Sequence, residues 1–327
     1  MTANQVAYIF PGQGSQYRGM GSDLVAEFPV AGKVFDESSD VLGMDMRQLC
    51  FEDPGDELSL TKFTQPALLT HEVACLRSFT ELTGGTVAPS VVGGHSLGEY
   101  SALVAGGVVS FEDALRLVAK RGELMSEFGT GGMVATTLDV QTAQLLADRH
   151  YCGIGGCNLP EQTVIAGDDT DLDALVRDLS ENFPGKRAIR LNTEGAFHTY
   201  LMVDAAQRFR EVLDEVQFSE AQCAVMSNYT GKFHEPGNQS VRSRLFFQLF
   251  SPVRWFACLE NAIALGFTAL IEFGGGIGKT PGPDARRPNL EGIVKKTLKF
   301  AGHDAQYVPA INVATIRAAA ESLQRSQ

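Results

Sequence analysis

Short apolar runs alternate with longer amphipathic stretches along the first 130 residues. Residues 6–10 form an apolar run that ends at Gly12-Gln13-Gly14-Ser15-Gln16 and predicts a buried first strand. A periodic apolar pattern over 66–82 predicts a helix. Residues 89–93 predict a second short buried strand, and a long helical pattern follows Leu97. Strands separated by helices in this way predict a mainly parallel sheet covered by helices.

The pattern changes near residue 130. Strands are predicted over 133–137, 154–158, 163–167 and 187–192, with helices over 140–150 and 171–182. That order is βαββαβ, the ferredoxin-like arrangement. The expected fold is therefore α/β. A large α/β-hydrolase-like subdomain with a parallel sheet comprises 1–129 and 196–327, and a ferredoxin-like small subdomain is inserted over 130–195. Beyond the insert, helices are expected over 200–215, 241–250 and 252–265, with a strand over 269–273. The Gly- and Pro-rich stretch 274–288 reads as irregular. The end of the chain is expected to hold only a short amphipathic helix over 316–324.

Length and composition narrow the class. At 327 residues, 44% hydrophobic and 20% charged, the chain suits a globular enzyme of one α/β domain with an insert. No stretch reaches the ~18 uninterrupted apolar residues that a membrane helix needs. The first residues lack a basic segment followed by an apolar one, so no membrane association and a cytoplasmic location are expected. Cys50, Cys75, Cys152, Cys157, Cys223 and Cys258 are scattered without CxxC pairs and read as free packing residues, with no metal site.

Charge excludes one class of partner and leaves another open. A net charge of −12 disfavours nucleic acid. Basic residues gather locally at Lys279, Arg286, Arg287, Lys295, Lys296 and Lys299, against only Asp284 and Glu291. That cluster reads either as a surface that steers an acidic partner or as a solvated loop and helix face.

The chemistry centres on Gly94-His95-Ser96-Leu97-Gly98. It fits G-x-S-x-G between an apolar strand and a helix-forming run, the context of a nucleophile elbow. Small residues flank the serine because the turn leaves no space for side chains there. A serine nucleophile needs a base, and among the six histidines His198 is the leading candidate, about 100 residues downstream. His95 adjoins the serine and is expected to point elsewhere. Gly274-Gly275-Gly276-Ile277-Gly278-Lys279-Thr280 imitates a phosphate loop, but Phe273 stands where the first glycine belongs. Pro281 and Pro283 also bar the helix that should follow. Gly12-Gln13-Gly14 fails as a dinucleotide motif because Tyr17 replaces the third glycine.

Several ordered motifs go further. They are Phe10-Pro11-Gly12-Gln13-Gly14-Ser15-Gln16, Thr64-Gln65-Pro66-Ala67, the serine motif continued through Glu99-Tyr100-Ser101-Ala102-Leu103, and Arg121-Gly122-Glu123-Leu124-Met125. Val164-Ile165-Ala166-Gly167, Phe197-His198, Gln248-Leu249 and Pro252-Val253-Arg254-Trp255 follow. In these the chain resembles the malonyl-CoA:acyl-carrier-protein transacylase family and the acyltransferase domains of polyketide synthases. The resemblance implies a Ser96–His198 dyad, with the imidazole oriented by the backbone carbonyl of Gln248. It implies an oxyanion hole from the N–H groups of Gln13 and Leu97, and Arg121 binding the malonyl carboxylate. Phe197 before the histidine implies selection of malonyl over methylmalonyl.

The implied activity is transfer of malonyl from coenzyme A through an acyl-Ser96 ester to the phosphopantetheine thiol of an acyl carrier protein. No bound cofactor is expected, and a monomer is. The basic cluster is the candidate docking surface. Gly274-Gly275-Gly276 stands where the family usually has Gly-Pro-Gly, and the chain from Gly278 onward departs from it, as in discrete acyltransferases that serve polyketide assembly in trans. The competing readings are a proofreading thioester hydrolase on the same scaffold and a catalytically silent docking subunit. The carboxylate-binding Arg121 counts against the first, and the intact Ser96, His198 and Gln13 against the second.

Overall fold

The computed structural model describes residues 5–325 and holds two sheets. The strands are β1 (Val6–Phe10), β2 (Pro89–Gly94), β3 (Gly132–Thr136), β4 (Gly153–Leu159) and β5 (Gln162–Gly167). β6 (Ala188–Arg190), β7 (Ala224–Ser227), β8 (Lys232–Phe233), β9 (Ala269–Phe273) and β10 (Gln306–Ala310) follow. The larger sheet runs β10-β9-β1-β2-β7-β8, parallel except for the antiparallel β7–β8 pair at one edge.

β1 explains why this sheet is buried on both faces. Val6, Tyr8 and Phe10 enter one apolar core while Ala7 and Ile9 enter the other, the period-2 alternation of a strand. Each large side chain so buried contributes roughly 1.5–3 kcal/mol. The first core holds the long helix Thr61–Thr83 and the helix Phe111–Glu127, and the second holds Trp255–Ile263 and Glu291–Ala301.

The helical pattern after Leu97 resolves into two helices, Gly98–Ala105 and Phe111–Glu127. The second lies close on Thr61–Thr83, because a Cβ at Gly122 would come within 2.7 Å of the Thr61 carbonyl oxygen. That close approach carries the neighbouring Arg121 inward.

The smaller sheet is antiparallel with order β4-β5-β3-β6, the ferredoxin-like order for a βαββαβ chain. Val134 and Ile165 face its own helices, Val140–Arg149 and Asp169–Asn182. Met133, Val164 and Ala166 face the other way and pack with Phe197 and Met125 of the large unit.

Two elements depart from expectation. The helix expected over 252–265 begins only at Trp255, and residues 252–254 are not helical. Val253 pairs with β4, Cys157 N–H donating to Val253 O at 2.8 Å and Val253 N–H to Gly155 O at 3.1 Å. The C-terminal segment also holds more than one short helix. β10 completes the large sheet beside β9, and the last helix spans Val313–Gln324 behind an Asn312–Thr315 capping box.

Candidate active site

The elbow is built from glycines and one strained serine. A Cβ at Gly94 would lie 2.0 Å from the Gly98 backbone, and one at Gly98 would lie 2.2 Å from the Phe10 carbonyl oxygen, so neither position admits a side chain. Ser96 takes a left-handed φ of 52°, which costs a non-glycine residue about 1–3 kcal/mol. Asn228 holds it there: its Oδ1 accepts the Ser96 N–H at 2.6 Å and its Nδ2 donates to Gly94 O at 2.8 Å.

Ser96 Oγ lies 2.7 Å from His198 Nε2, and His198 Nδ1 lies 2.8 Å from the Gln248 carbonyl oxygen. A carbonyl can only accept, so Nδ1 carries the proton and Nε2 is left to accept from the serine hydroxyl. Burial, reinforced by the Arg121 charge, lowers the His198 pKa to about 3, against a weaker opposing pull from the Gln248 carbonyl. The imidazole is therefore neutral near pH 7. His95 turns its Nε2 to Asn158 Oδ1 at 2.9 Å and its edge to Trp255, away from the serine hydroxyl.

Arg121 is 1% exposed, yet among the described residues no carboxylate lies within ion-pair distance of it. Nη1 donates to Gln65 Oε1 at 2.8 Å, and Nη2 donates to Gln248 Oε1 at 3.1 Å and to Ser96 Oγ at 3.2 Å. Its Nε is buried without a partner. The buried Glu99 carboxylate, reached through Gln248, offsets part of the cost of holding this cation away from water, and a bound anion would offset more. Burial correspondingly lowers its pKa.

Gln13 and Leu97 also line this space. Among the described residues neither Gln13 N–H nor Leu97 N–H has an acceptor. The Gln13 side chain is tied back to Thr61 Oγ1 at 3.0 Å. The cleft, about 290 Å³, runs between the two sheets and is walled by Met125, Met133, Val164, Leu191, Phe197 and Val253. Ser96, His198, Gln13, Leu97, Arg121 and Phe197 thus share one cavity, with Gln248 directly behind it.

The acyl transferase domain family matches residues 7–273. The chain belongs to that family. It is 39% identical over 302 residues to the malonyl CoA-acyl carrier protein transacylase of Bacillus subtilis (strain 168), covering 90% of each chain. Its fold superposes on the crystal structure of malonyl CoA-acyl carrier protein transacylase from Clostridium perfringens with a TM-score of 0.87, at 31% identity and 98% coverage of both chains. It matches a malonyl-transacylase solved in complex with a type II polyketide acyl-carrier protein equally well, at TM-score 0.87 and 34% identity over 97% of this chain and 99% of that one.

In this acyltransferase the site also uses residues that sequence reading passed over. Gln65 and Glu99 lie inside the ordered motifs with no local signal of a role, and Asn228 sits in no pattern that periodicity detects. Among the described residues no group of three or more His, Cys, Asp or Glu side chains could hold a metal, and no helix is long and apolar enough to cross a membrane.

The basic cluster divides in two. Gly276 N–H donates to Ser15 O at 2.8 Å and Arg286 stacks over Tyr17 at 4.3 Å, so the 276–287 loop lies on the loop that carries Gln13. Lys295, Lys296 and Lys299 lie on the helix Glu291–Ala301, where Lys295 pairs with Glu291.

Proposed function

We propose that this acyltransferase moves a malonyl group from coenzyme A to the phosphopantetheine thiol of an acyl carrier protein, for fatty-acid or polyketide synthesis. The observation that carries the substrate reading is the buried Arg121, which has no carboxylate partner and lies 3.2 Å from Ser96 Oγ. A guanidinium so placed suits the free carboxylate of a malonyl unit whose thioester carbon sits at the serine. The names of the relatives support the same reading.

In the first half-reaction His198 Nε2 takes the Ser96 proton as Oγ attacks the thioester carbon. The carbonyl oxygen becomes an oxyanion facing the N–H groups of Gln13 and Leu97, each such donor being worth about 10²–10³ in rate. The tetrahedral adduct collapses, the C–S bond breaks, and His198 returns the proton to the departing coenzyme A sulfur. In the second half-reaction His198 takes the proton of the carrier thiol, whose sulfur attacks the malonyl-Ser96 ester. The C–Oγ bond breaks and the proton returns to Ser96. The Gln248 carbonyl holds the imidazole in the tautomer that both halves require.

Phe197 lines the cleft and on this reading limits room for an α-branch, one methyl group being worth about 1–3 kcal/mol in such a pocket. The basic residues Lys279, Arg286, Arg287, Lys295, Lys296 and Lys299 form the docking surface for an acidic carrier protein, with 130–195 as the inserted unit that walls the cleft. In this reading the enzyme works as a monomer in the cytoplasm and needs no bound cofactor.

Intact-mass measurement tests the proposal. The protein is incubated with malonyl-CoA, with and without carrier protein. A malonyl adduct on Ser96 that persists until the carrier arrives is expected. Rapid release of free malonate without carrier would identify a hydrolase instead.

A further inference from the structure

Glu99 lies three residues after Ser96, fully buried, and its carboxylate is shared among three donors from three separate elements. Oε2 accepts the Asn228 N–H at 3.0 Å and Gln248 Nε2–H at 2.9 Å, while Oε1 faces His234 Nε2 at 2.7 Å. Two of these donors reach straight into the site. Asn228 Oδ1 accepts the N–H of the strained Ser96. Gln248 presents its carbonyl to His198 Nδ1, donates from Nε2 to the Ser96 carbonyl at 2.9 Å, and accepts from Arg121 at Oε1.

His234 is the third donor and touches none of the reacting groups. It follows β8, with its own N–H on the Val225 carbonyl at 2.8 Å and its side chain only 3% exposed. Its Nδ1 is buried without a partner. A buried polar atom left unmatched indicates a ring whose placement is set by its other nitrogen, the one on Glu99. Arg121 is the other charged group of this network, reached through Gln248.

We infer that His234, acting through Glu99, is a positioning residue for acyl transfer. By fixing Oε1 it fixes the rotation of the Glu99 carboxylate, and so the acceptor that Asn228 and Gln248 share. Without that donor the Glu99 carboxylate can rotate, and with it the Oε2 acceptor that holds the Asn228 N–H and Gln248 Nε2. A misplacement of about 1 Å at reacting groups costs up to about 10²-fold in rate, which makes a remote donor consequential. The inference rests on Ser96 being the acylated residue, as proposed above.

The test uses the full chain and compares His234→Leu, His234→Gln and His234→Asn with the wild type. The amide nitrogen of glutamine can stand where Nε2 stands, whereas that of asparagine falls short of Glu99. Three quantities are measured: the labelling rate of Ser96 by a fluorophosphonate, kcat and KM for malonyl-CoA, and the melting temperature. His234→Leu is expected to lower the labelling rate and kcat by about ten- to a hundred-fold with KM nearly unchanged. His234→Gln is expected to recover most of both, and His234→Asn is not.

Wild-type labelling and kcat in a folded His234→Leu protein would overturn the inference, whatever its melting temperature. If that variant does not fold, equal rates for His234→Gln and His234→Asn would overturn it. The labelling reagent carries no malonyl group. A wild-type protein that labels at Ser96 but takes no malonyl therefore refutes the proposed substrate and leaves the role of His234 standing.

Discussion

Arg121 and Ser96 are joined directly: Nη2 of the buried guanidinium lies 3.2 Å from the serine hydroxyl oxygen and 3.1 Å from Gln248 Oε1. The cation therefore sits within one acyl unit of the nucleophile, and the same Gln248 meets His198 on its other side. On the proposed reading, carboxylate binding and base orientation meet at Gln248.

Arg121→Ala should remove recognition of the carboxylate while leaving the dyad in place. Truncating one partner of a buried charge pair costs about 2–5 kcal/mol, so malonyl loading should fall by about 30-fold or more while acetyl loading is spared. Intact masses after brief incubation with each coenzyme A ester measure this. Unchanged malonyl loading would remove Arg121 from the role.

The histidine makes a prediction about pH. With the His198 pKa lowered to about 3, the free enzyme should keep its base through the range where an ordinary histidine protonates. Labelling of Ser96 by an uncharged fluorophosphonate should show no inflection near 6.5, and a fall centred there would contradict the neutral imidazole. Linkage sets the companion effect on stability. The unfolded chain protonates this histidine near 6.5 and the folded chain does not. The contribution is therefore complete above about 6.5 and is lost as pH falls toward 3. His71, lowered to about 4 by burial, adds in the same direction.

Glu272 carries the opposite sign. Its buried carboxyl accepts the Asn289 and Leu290 N–H groups and the Tyr307 hydroxyl, and burial raises its pKa to about 7. The folded state holds this proton more tightly than the unfolded one. The associated stability is therefore full below about 4.5 and disappears as pH rises through 7. Glu272→Gln should thus gain melting temperature relative to wild type as pH goes from 5 to 8. A difference independent of pH would show that the carboxyl is already ionised at 5.

Phe197 is the selectivity test. Phe197→Ser should raise kcat/KM for methylmalonyl-CoA relative to malonyl-CoA by about 10- to 200-fold, the span that one methyl group permits. Competition between the two esters in one reaction measures the ratio directly, and an unmoved ratio would place the discriminating wall elsewhere in the cleft.

Local signals made much of this legible. β1 reads as buried from five apolar residues, and the Gly94–Gly98 elbow reads from glycines that the geometry requires. The order of strands and helices over the insert also gave its antiparallel sheet. Arg121 was a different case. An arginine in an amphipathic helix is ordinarily at the surface, and only the resemblance pointed it inward. Its burial depends on Gly122 admitting the helix Thr61–Thr83, a contact between segments about 60 residues apart. The Gln248 carbonyl is main chain and leaves no compositional trace. Asn228, Glu99 and His234 meet only after the sheet is assembled, so no window of sequence contains their relationship. β10 was missed because a five-residue edge strand with Gln306 and Pro309 has little apolar alternation.

The pairing of Val253 with β4 has a mechanical consequence. The two walls of the cleft are joined there by main-chain hydrogen bonds, which do not depend on which side chains the joined residues carry. Away from that seam the walls are held by the packing of Met133, Val164 and Phe197 instead. The gauge of the cleft at the seam is thus set by the chain path, and elsewhere by the side chains that line it.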